Sequence, residues 1–154
     1  MILFADSSAL VKLYSTEPGS AEVAELVARP DGSTVTVVSA LARVEVPAAL
    51  WRKHRMGELD SADAAVLVEQ FEADWRGTGG NPPLFHAIAA TTTMLDRAAR
   101  LAGEYGLRAQ DAVQLASAVM AREAVDGCTN LAAYDSALVD AAAVEGFRPA
   151  VARR

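Results

Sequence analysis

The sequence predicts an α/β protein, a three-layer α/β/α sandwich around a central, mostly parallel sheet. Short β-branched or apolar runs alternate with longer helical stretches, and turn residues or helix caps stand at the breaks between them. The 154 residues are 52% hydrophobic with a mean hydropathy of +0.17, enough for a substantial core, so residues 1–154 are expected to form one domain.

Met1-Ile2-Leu3-Phe4-Ala5 reads as a buried strand over about 2–5, followed by a short helix from Ser7 to Tyr14. Glu17-Pro18-Gly19-Ser20 is a turn, and Ser20 can cap a helix to about Arg29. After a second turn at Pro30-Asp31-Gly32-Ser33, the β-branched Thr34-Val35-Thr36-Val37-Val38 is the clearest second strand. Ser39 is the expected cap of a helix reaching His54 or so. Pro47 lies inside it, removes a hydrogen bond, and predicts a kink or a break. Gly57 ends that segment, and Asp60 or Ser61 begins a helix to about Trp75. A loop from Gly77 to Pro83 leads to a short strand over Leu84–Ile88. A helix from about Thr91 to Tyr105 then closes on Gly106 as a left-handed cap. The remainder reads as a helix around Asp111, a strand over Cys128–Ala132, a helix after Asp135 and an edge strand near Arg148–Val151. Internal repeats and low-complexity tracts are absent.

Bulk properties narrow the function classes. The longest uncharged stretch, Gly77 to Leu95, holds two prolines, three glycines and His86, so no membrane span is expected. The N-terminus has no basic region and Asp6 interrupts its apolar start, which argues against a secretory signal. Cys128 is the single cysteine, so no internal disulfide forms, and a cytoplasmic location is expected. A net charge of −6 and a pI near 4.9 would ordinarily count against nucleic-acid binding. Basic residues nevertheless cluster at Arg52-Lys53-His54-Arg55 and at Arg153-Arg154, the first of which also reads as a solvated helix end.

Four acids carry the functional signal: Asp6, Glu45, Asp111 and Asp135, each in or against an apolar stretch. Asp6 and Asp135 stand where a strand gives way to a helix, and Asp111 opens a helix. In a parallel sheet such positions line one crevice at the carboxyl ends of the strands. Asp6 and Asp135 also read as helix caps, and Asp111 as a complement to its helix dipole. Glu45 shares a helical face with Leu41, Ala48 and Ala49, where a solvated glutamate is out of place. Its alternative reading is a buried ion pair with Arg43 or Arg108. Acids gathered at one edge repel unless cations compensate them. Oxygen donors, with few histidines and no cysteine pair, suit Mg²⁺ or Mn²⁺ better than Zn²⁺. Two such ions about 4 Å apart would activate a water and steady both oxygens of a phosphodiester displacement. Ser7 or Ser8 can orient a carboxylate or a water, or cap the helix.

The motifs resemble a known family. Asp6-Ser7-Ser8-Ala9-Leu10-Val11-Lys12-Leu13-Tyr14, with Glu17-Pro18-Gly19-Ser20, is similar to the opening of PIN-domain proteins of the VapC toxin type. The second motif of that family is matched by Val38-Ser39-Ala40-Leu41-Ala42-Arg43-Val44-Glu45-Val46. Leu107 to Ala118 resembles the third, and Ala133-Tyr134-Asp135-Ser136-Ala137-Leu138, with Gly146-Phe147, the fourth. The motifs follow in register along essentially the whole chain. The resemblance implies a PIN-like fold and a Mg²⁺- or Mn²⁺-dependent endoribonuclease, the toxin of a type II toxin–antitoxin pair. It also implies a homodimer neutralised by a small antitoxin whose tail enters the active-site groove. Carried over position by position, Asp6, Glu45, Asp111 and Asp135 would be the catalytic, metal-binding acids. Three positions depart from the pattern: Gln114 where many relatives have histidine, Ala133 where threonine or serine is usual, and Pro47 close to the second acid. The first two are expected to tune activity or RNA choice; Pro47 bears on how Glu45 is oriented.

Other residues read more simply. His54 is expected at a solvated helix end, His86 in a loop or strand, and Cys128 in the core. Trp51, Phe71 and Trp75 are expected in core or dimer contacts rather than stacked on bases. Lys12, Arg43 and Arg108 lie near the acid motifs and either hold phosphate or pair with a carboxylate. A phosphoacceptor receiver domain would need an acid pair after the first strand and a late lysine, and no lysine follows Lys53. A non-cleaving metal-binding interaction module and a DNA-directed PIN nuclease are the remaining alternatives.

Overall fold

The computed structural model describes residues 1–27 and 32–152. The expected helix end at Arg29, part of the Pro30–Ser33 turn and the Arg153-Arg154 pair lie outside the described residues. At the centre of the sheet runs β1 (Ile2–Ala5), whose side chains alternate between two cores. Phe4 joins one apolar cluster, while Leu3 and Ala5 join the other. The same split recurs at Val37 and Val38 in β2 (Val35–Ser39) and at Leu131 and Ala132 in β4 (Cys128–Ala132). Both faces of the sheet are therefore covered by helices, which makes three layers.

Five strands among the described residues pair in the order β3-β2-β1-β4-β5, with β3 spanning Phe85–Ile88 and β5 Arg148–Pro149. Every pairing is parallel, so the sheet is wholly rather than mostly parallel. On the first face lie α1 (Ser7–Tyr14), α2 (Ser20–Val27), α3 (Ala42–Arg55) and α4 (Ser61–Arg76). Leu10, Val23, Leu50 and Phe71 are fully buried there, and Tyr14 meets the Phe71 ring edge-on. Phe71 also packs with Trp75 and Phe85, as expected of core aromatics. The second face holds α5 (Thr92–Tyr105), α6 (Ala109–Ala124) and α7 (Ser136–Val144), with Met94, Leu115 and Leu138 fully buried. Cys128 lies in this core. Alanines 112, 116, 118 and 121 line the buried side of α6, and their small side chains let it approach the sheet closely.

Local differences from the sequence expectations have physical reasons. Ser39 ends β2 instead of capping α3, and the cap position falls to Leu41. The Ser39 hydroxyl is still used: it accepts from the Leu41 N–H at 3.2 Å and from the Ser117 hydroxyl at 2.9 Å. α3 is unbroken through Pro47; Ala42, Val46 and Leu50 bury its inner face and hold it against the loss of one backbone bond. β5 is shorter than expected, although Ala150 N–H still donates to Leu131 C=O at 2.8 Å. Gly106 caps α5 as expected, Thr91 stands just before the helix as its N-cap, and Asp60 caps α4. Among the described residues no helix is long and apolar enough to cross a membrane.

Candidate active site

The strand order reverses beside β1: the chain moves outward through β2 and β3, then returns to place β4 on the other flank. A crevice opens at such a switch point, at the carboxyl ends of the strands. Asp6 follows β1 directly, and its N–H donates to Ala132 C=O at 2.9 Å, closing the floor between β1 and β4. A cleft of about 950 Å³ opens above it, and Asp6, Glu45, Asp111 and Asp135 all line it. The four acids come from the end of β1, the first turn of α3, the first turn of α6 and the cap of α7.

Each carboxylate is held in a particular way. Asp6 is buried and caps α1; its Oδ2 accepts from the Ser8 N–H at 3.0 Å and the Ser8 hydroxyl at 2.5 Å. Ser8 Oγ in turn accepts from the Tyr134 N–H, tying α1 to the loop after β4. The end of the Tyr134 side chain lies close against Gly19, which adopts φ +98° and where a Cβ would stand 2.5 Å from the Tyr134 hydroxyl. Glu45 makes no ion pair with Arg43 or Arg108. Its Oε2 accepts from the Ser7 hydroxyl and from Gln114 Nε2 at 2.6 Å. Arg43 instead pairs with Glu72. Arg108 spans the other two acids, donating from Nε to Asp111 Oδ2 and from Nη2 to Asp135 Oδ2, both at 3.0 Å. Asp135 also caps α7 through Oδ1, which accepts from the Leu138 N–H at 3.0 Å. Capping and cleft placement are thus the same act for Asp6 and Asp135.

The electrostatics are those of a site short of positive charge at its floor. Burial pushes the Asp6 carboxyl up to about 6, the Glu45 charge adds to the rise, and the hydrogen bonds from Ser8 oppose it. Among the described residues no three His, Cys, Asp or Glu side chains already form a metal-holding cluster. The donor chemistry nevertheless fits a hard divalent cation: six carboxylates line the cleft, Glu17 and Glu58 among them paired with Lys53, and neither histidine nor cysteine does. An ion there would have to draw the acids inward and displace the Arg108 guanidinium.

Above the acids the cleft turns basic. Lys12, Arg52, Lys53, Arg55 and Arg108 line it. Lys12 lies 4.5 Å from the centre of the Tyr134 ring and donates to Pro18 C=O, and Lys53 pairs with Glu17 and Glu58. Arg52 and Arg55 are exposed and make no ion pair among the described residues. In the sequence the run Arg52-Lys53-His54-Arg55 also reads as a solvated helix end. A helical count from Glu45 through Ala48, Ala49 and Arg52 to Arg55 would have placed them on the acid-bearing face of α3. His54 is half-buried and hydrogen-bonds Leu59 C=O through Nδ1, while His86 is exposed on β3; neither lines the cleft.

A scan against models of known protein families gives no match. Individual proteins do match. The chain is 35% identical to ribonuclease VapC45 of Mycobacterium tuberculosis (strain CDC 1551 / Oshkosh) over 118 residues, 77% of this chain and 75% of that protein. Ribonuclease VapC49 of Mycobacterium tuberculosis (strain ATCC 25618 / H37Rv) matches with the same identity and coverage. The fold is similar to the crystal structure of PAE2754 from Pyrobaculum aerophilum, with a TM-score of 0.62, covering 97% of this chain and 90% of that one. At 21% sequence identity, that likeness bears on the fold alone. With the parallel α/β/α architecture in place and more than a third of residues shared with two VapC proteins over three quarters of each chain, the chain belongs to the VapC family of PIN-domain proteins.

Proposed function

We propose that the protein is a Mg²⁺- or Mn²⁺-dependent endoribonuclease and the toxin of a type II toxin–antitoxin pair. The observation that carries this reading is the joint placement of Asp6, Glu45, Asp111 and Asp135 on one cleft whose rim bears Arg52 and Arg55. The names of the two VapC ribonucleases support the substrate class.

In this reading the four carboxylates hold the metal. A divalent ion in such a site supplies Lewis acidity toward phosphate oxygens and eases deprotonation of water. The chain's own residues do the rest. Ser8 holds Asp6, and the Ser7 hydroxyl donates to Glu45. Arg52 and Arg55 stand about 10 and 15 Å along the α3 axis from Glu45, spaced to hold the backbone of a single strand that enters over the acids. The acidic floor and basic rim would equally admit a small antitoxin's tail, with an arginine or lysine on the carboxylates. A homodimer acting in the cytoplasm completes the proposal.

The direct test is cleavage of single-stranded RNA by purified protein. Mn²⁺ should support it, and EDTA should stop it. Metal binding with no RNA cleavage would favour the non-cleaving interaction module, and equal cleavage of DNA would favour a DNA-directed nuclease. The basic rim has its own readout. In an Asp6→Asn background, replacing Arg52 and Arg55 by glutamine should weaken RNA binding across sequences. The slope of log K against log salt should become shallower by about 1.4, two phosphate contacts' worth. An unchanged slope would remove these arginines from the RNA path.

A further inference from the structure

Gln114 is the most deeply buried polar side chain at the cleft, only 1% exposed on a helix whose other inward residues are mostly apolar. Its Nε2 donates to Ser7 Oγ at 2.9 Å and to Glu45 Oε2 at 2.6 Å. The Ser7 hydroxyl donates its own hydrogen bond to the same Oε2. Ser7, Gln114 and Glu45 therefore close a triangle in which both donors converge on one carboxylate oxygen. The amide orientation follows from chemistry: the reverse placement would set a carbonyl oxygen against a carboxylate. Its consequence is visible at the other end, where Gln114 Oε1 is buried with no hydrogen-bond partner among the described residues. A leucine or methionine at this position would leave no such orphan. The amide is thus poorly suited to the core and well suited to Glu45.

We propose that Gln114 is a positioning residue: with Ser7 it fixes Oε2 of Glu45 and so presents Oε1 of the same carboxylate to the cleft. The inference rests on the ribonuclease reading for its consequence in activity, and on the triangle itself for its geometry. Asp6 and Asp135 are fixed by the helices that they cap, whereas Glu45 projects from within α3 and is fixed only through side chains. Gln114 supplies across the fold what capping supplies for the two aspartates.

Gln114→Met keeps length and volume while removing the donor; Gln114→Glu keeps the shape and reverses the polarity toward Glu45. The methionine variant should melt at or above the wild-type temperature without metal, because it removes a buried orphan acceptor. It should bind Mn²⁺ about tenfold more weakly by calorimetry, and lose about tenfold in kcat for RNA with little change in KM. The glutamate variant should lose more of both. In a crystal structure of Gln114→Met, the Glu45 carboxylate should leave the Ser7 hydroxyl or occupy several rotamers. A Glu45 carboxylate unmoved in that crystal overturns the proposal whatever the activity, as does a methionine variant with wild-type Mn²⁺ affinity. A wild-type protein that cuts no RNA would instead overturn the functional reading, leaving the crystal to decide the role of Gln114.

Discussion

Asp6→Asn is expected to abolish RNA cleavage and, in the same protein without metal, to raise the melting temperature at pH 7. Both effects follow from one feature: a carboxylate buried at the floor of the cleft beside Glu45, with no cation against it. Burial, then the Glu45 charge, lifts its pKa from 3.8 to about 6. Because the folded value lies above the unfolded one, the unfolded chain ionises first as pH rises. The contribution of Asp6 to native stability is therefore full below about pH 4, falls between pH 4 and 6, and stays reduced above. A shift of that size corresponds to something on the order of 3 kcal/mol at pH 7. Asparagine removes the ionisation while still accepting from Ser8, so a gain of about 1–2 kcal/mol, or roughly 3–6 °C, is expected in EDTA at pH 7. Near pH 4 the difference should vanish. Loss of a metal-holding charge should cost several kcal/mol of transition-state stabilisation, roughly a thousandfold in kcat. Thermal melts at the two pH values and a cleavage assay check the pair of outcomes. A variant that cuts RNA at the wild-type rate contradicts the site, and one that melts lower at pH 7 contradicts the electrostatics.

How much of this was legible in the sequence depends on whether a feature is local. Asp6 and Asp135 stand at strand-to-helix junctions, and a parallel sheet carries all such junctions to one edge, so their common placement followed from topology. Glu45 was singled out by its apolar helical neighbours Leu41, Ala48 and Ala49. That face is the cleft wall and not the core: Ala48 is exposed, Glu45 is half-buried, and Ala42, Val46 and Leu50 form the buried side. What holds Glu45 was not legible: Ser7 and Gln114 lie 38 and 69 residues away, and no periodicity encodes such a contact. Arg108 divides along the same line. Its bond to Asp111 is an i,i+3 helical pair, readable from spacing, while its bond to Asp135 spans 27 residues. Arg52 and Arg55 were legible by helical count from Glu45, yet a run of basic residues at a helix end masked them. Ser39 shows the limit of cap rules. The chain takes a further turn after β2, and its hydroxyl serves Leu41 and Ser117 instead of the first turn of α3.

Removing Arg108 is expected to tighten metal binding and weaken RNA binding at once. Its guanidinium bridges Asp111 and Asp135 at 3.0 Å each, while its side chain remains 76% exposed. In that position it neutralises two of the acids that an ion would use in the proposed site, so an ion held by both would have to displace it. Such an exposed bridge is weak, and Arg108→Gln should therefore improve Mn²⁺ affinity only about three- to tenfold. A guanidinium so displaced would stay on the cleft that Arg52 and Arg55 also line, free to take a phosphate oxygen of RNA. The same variant should thus show a raised KM for RNA. Arg108→Lys separates bridging from simple charge: it keeps the cation and loses the planar fork that spans two carboxylates. If the bridge is what competes, the lysine variant should bind Mn²⁺ more tightly than wild type and less tightly than the glutamine variant. Were it to match wild type, the general field of a cation would account for the effect. Calorimetric titration of the metal-free protein with Mn²⁺ decides between them, and an Arg108→Gln variant that binds Mn²⁺ no more tightly than wild type would show that the guanidinium does not stand in the ion's place.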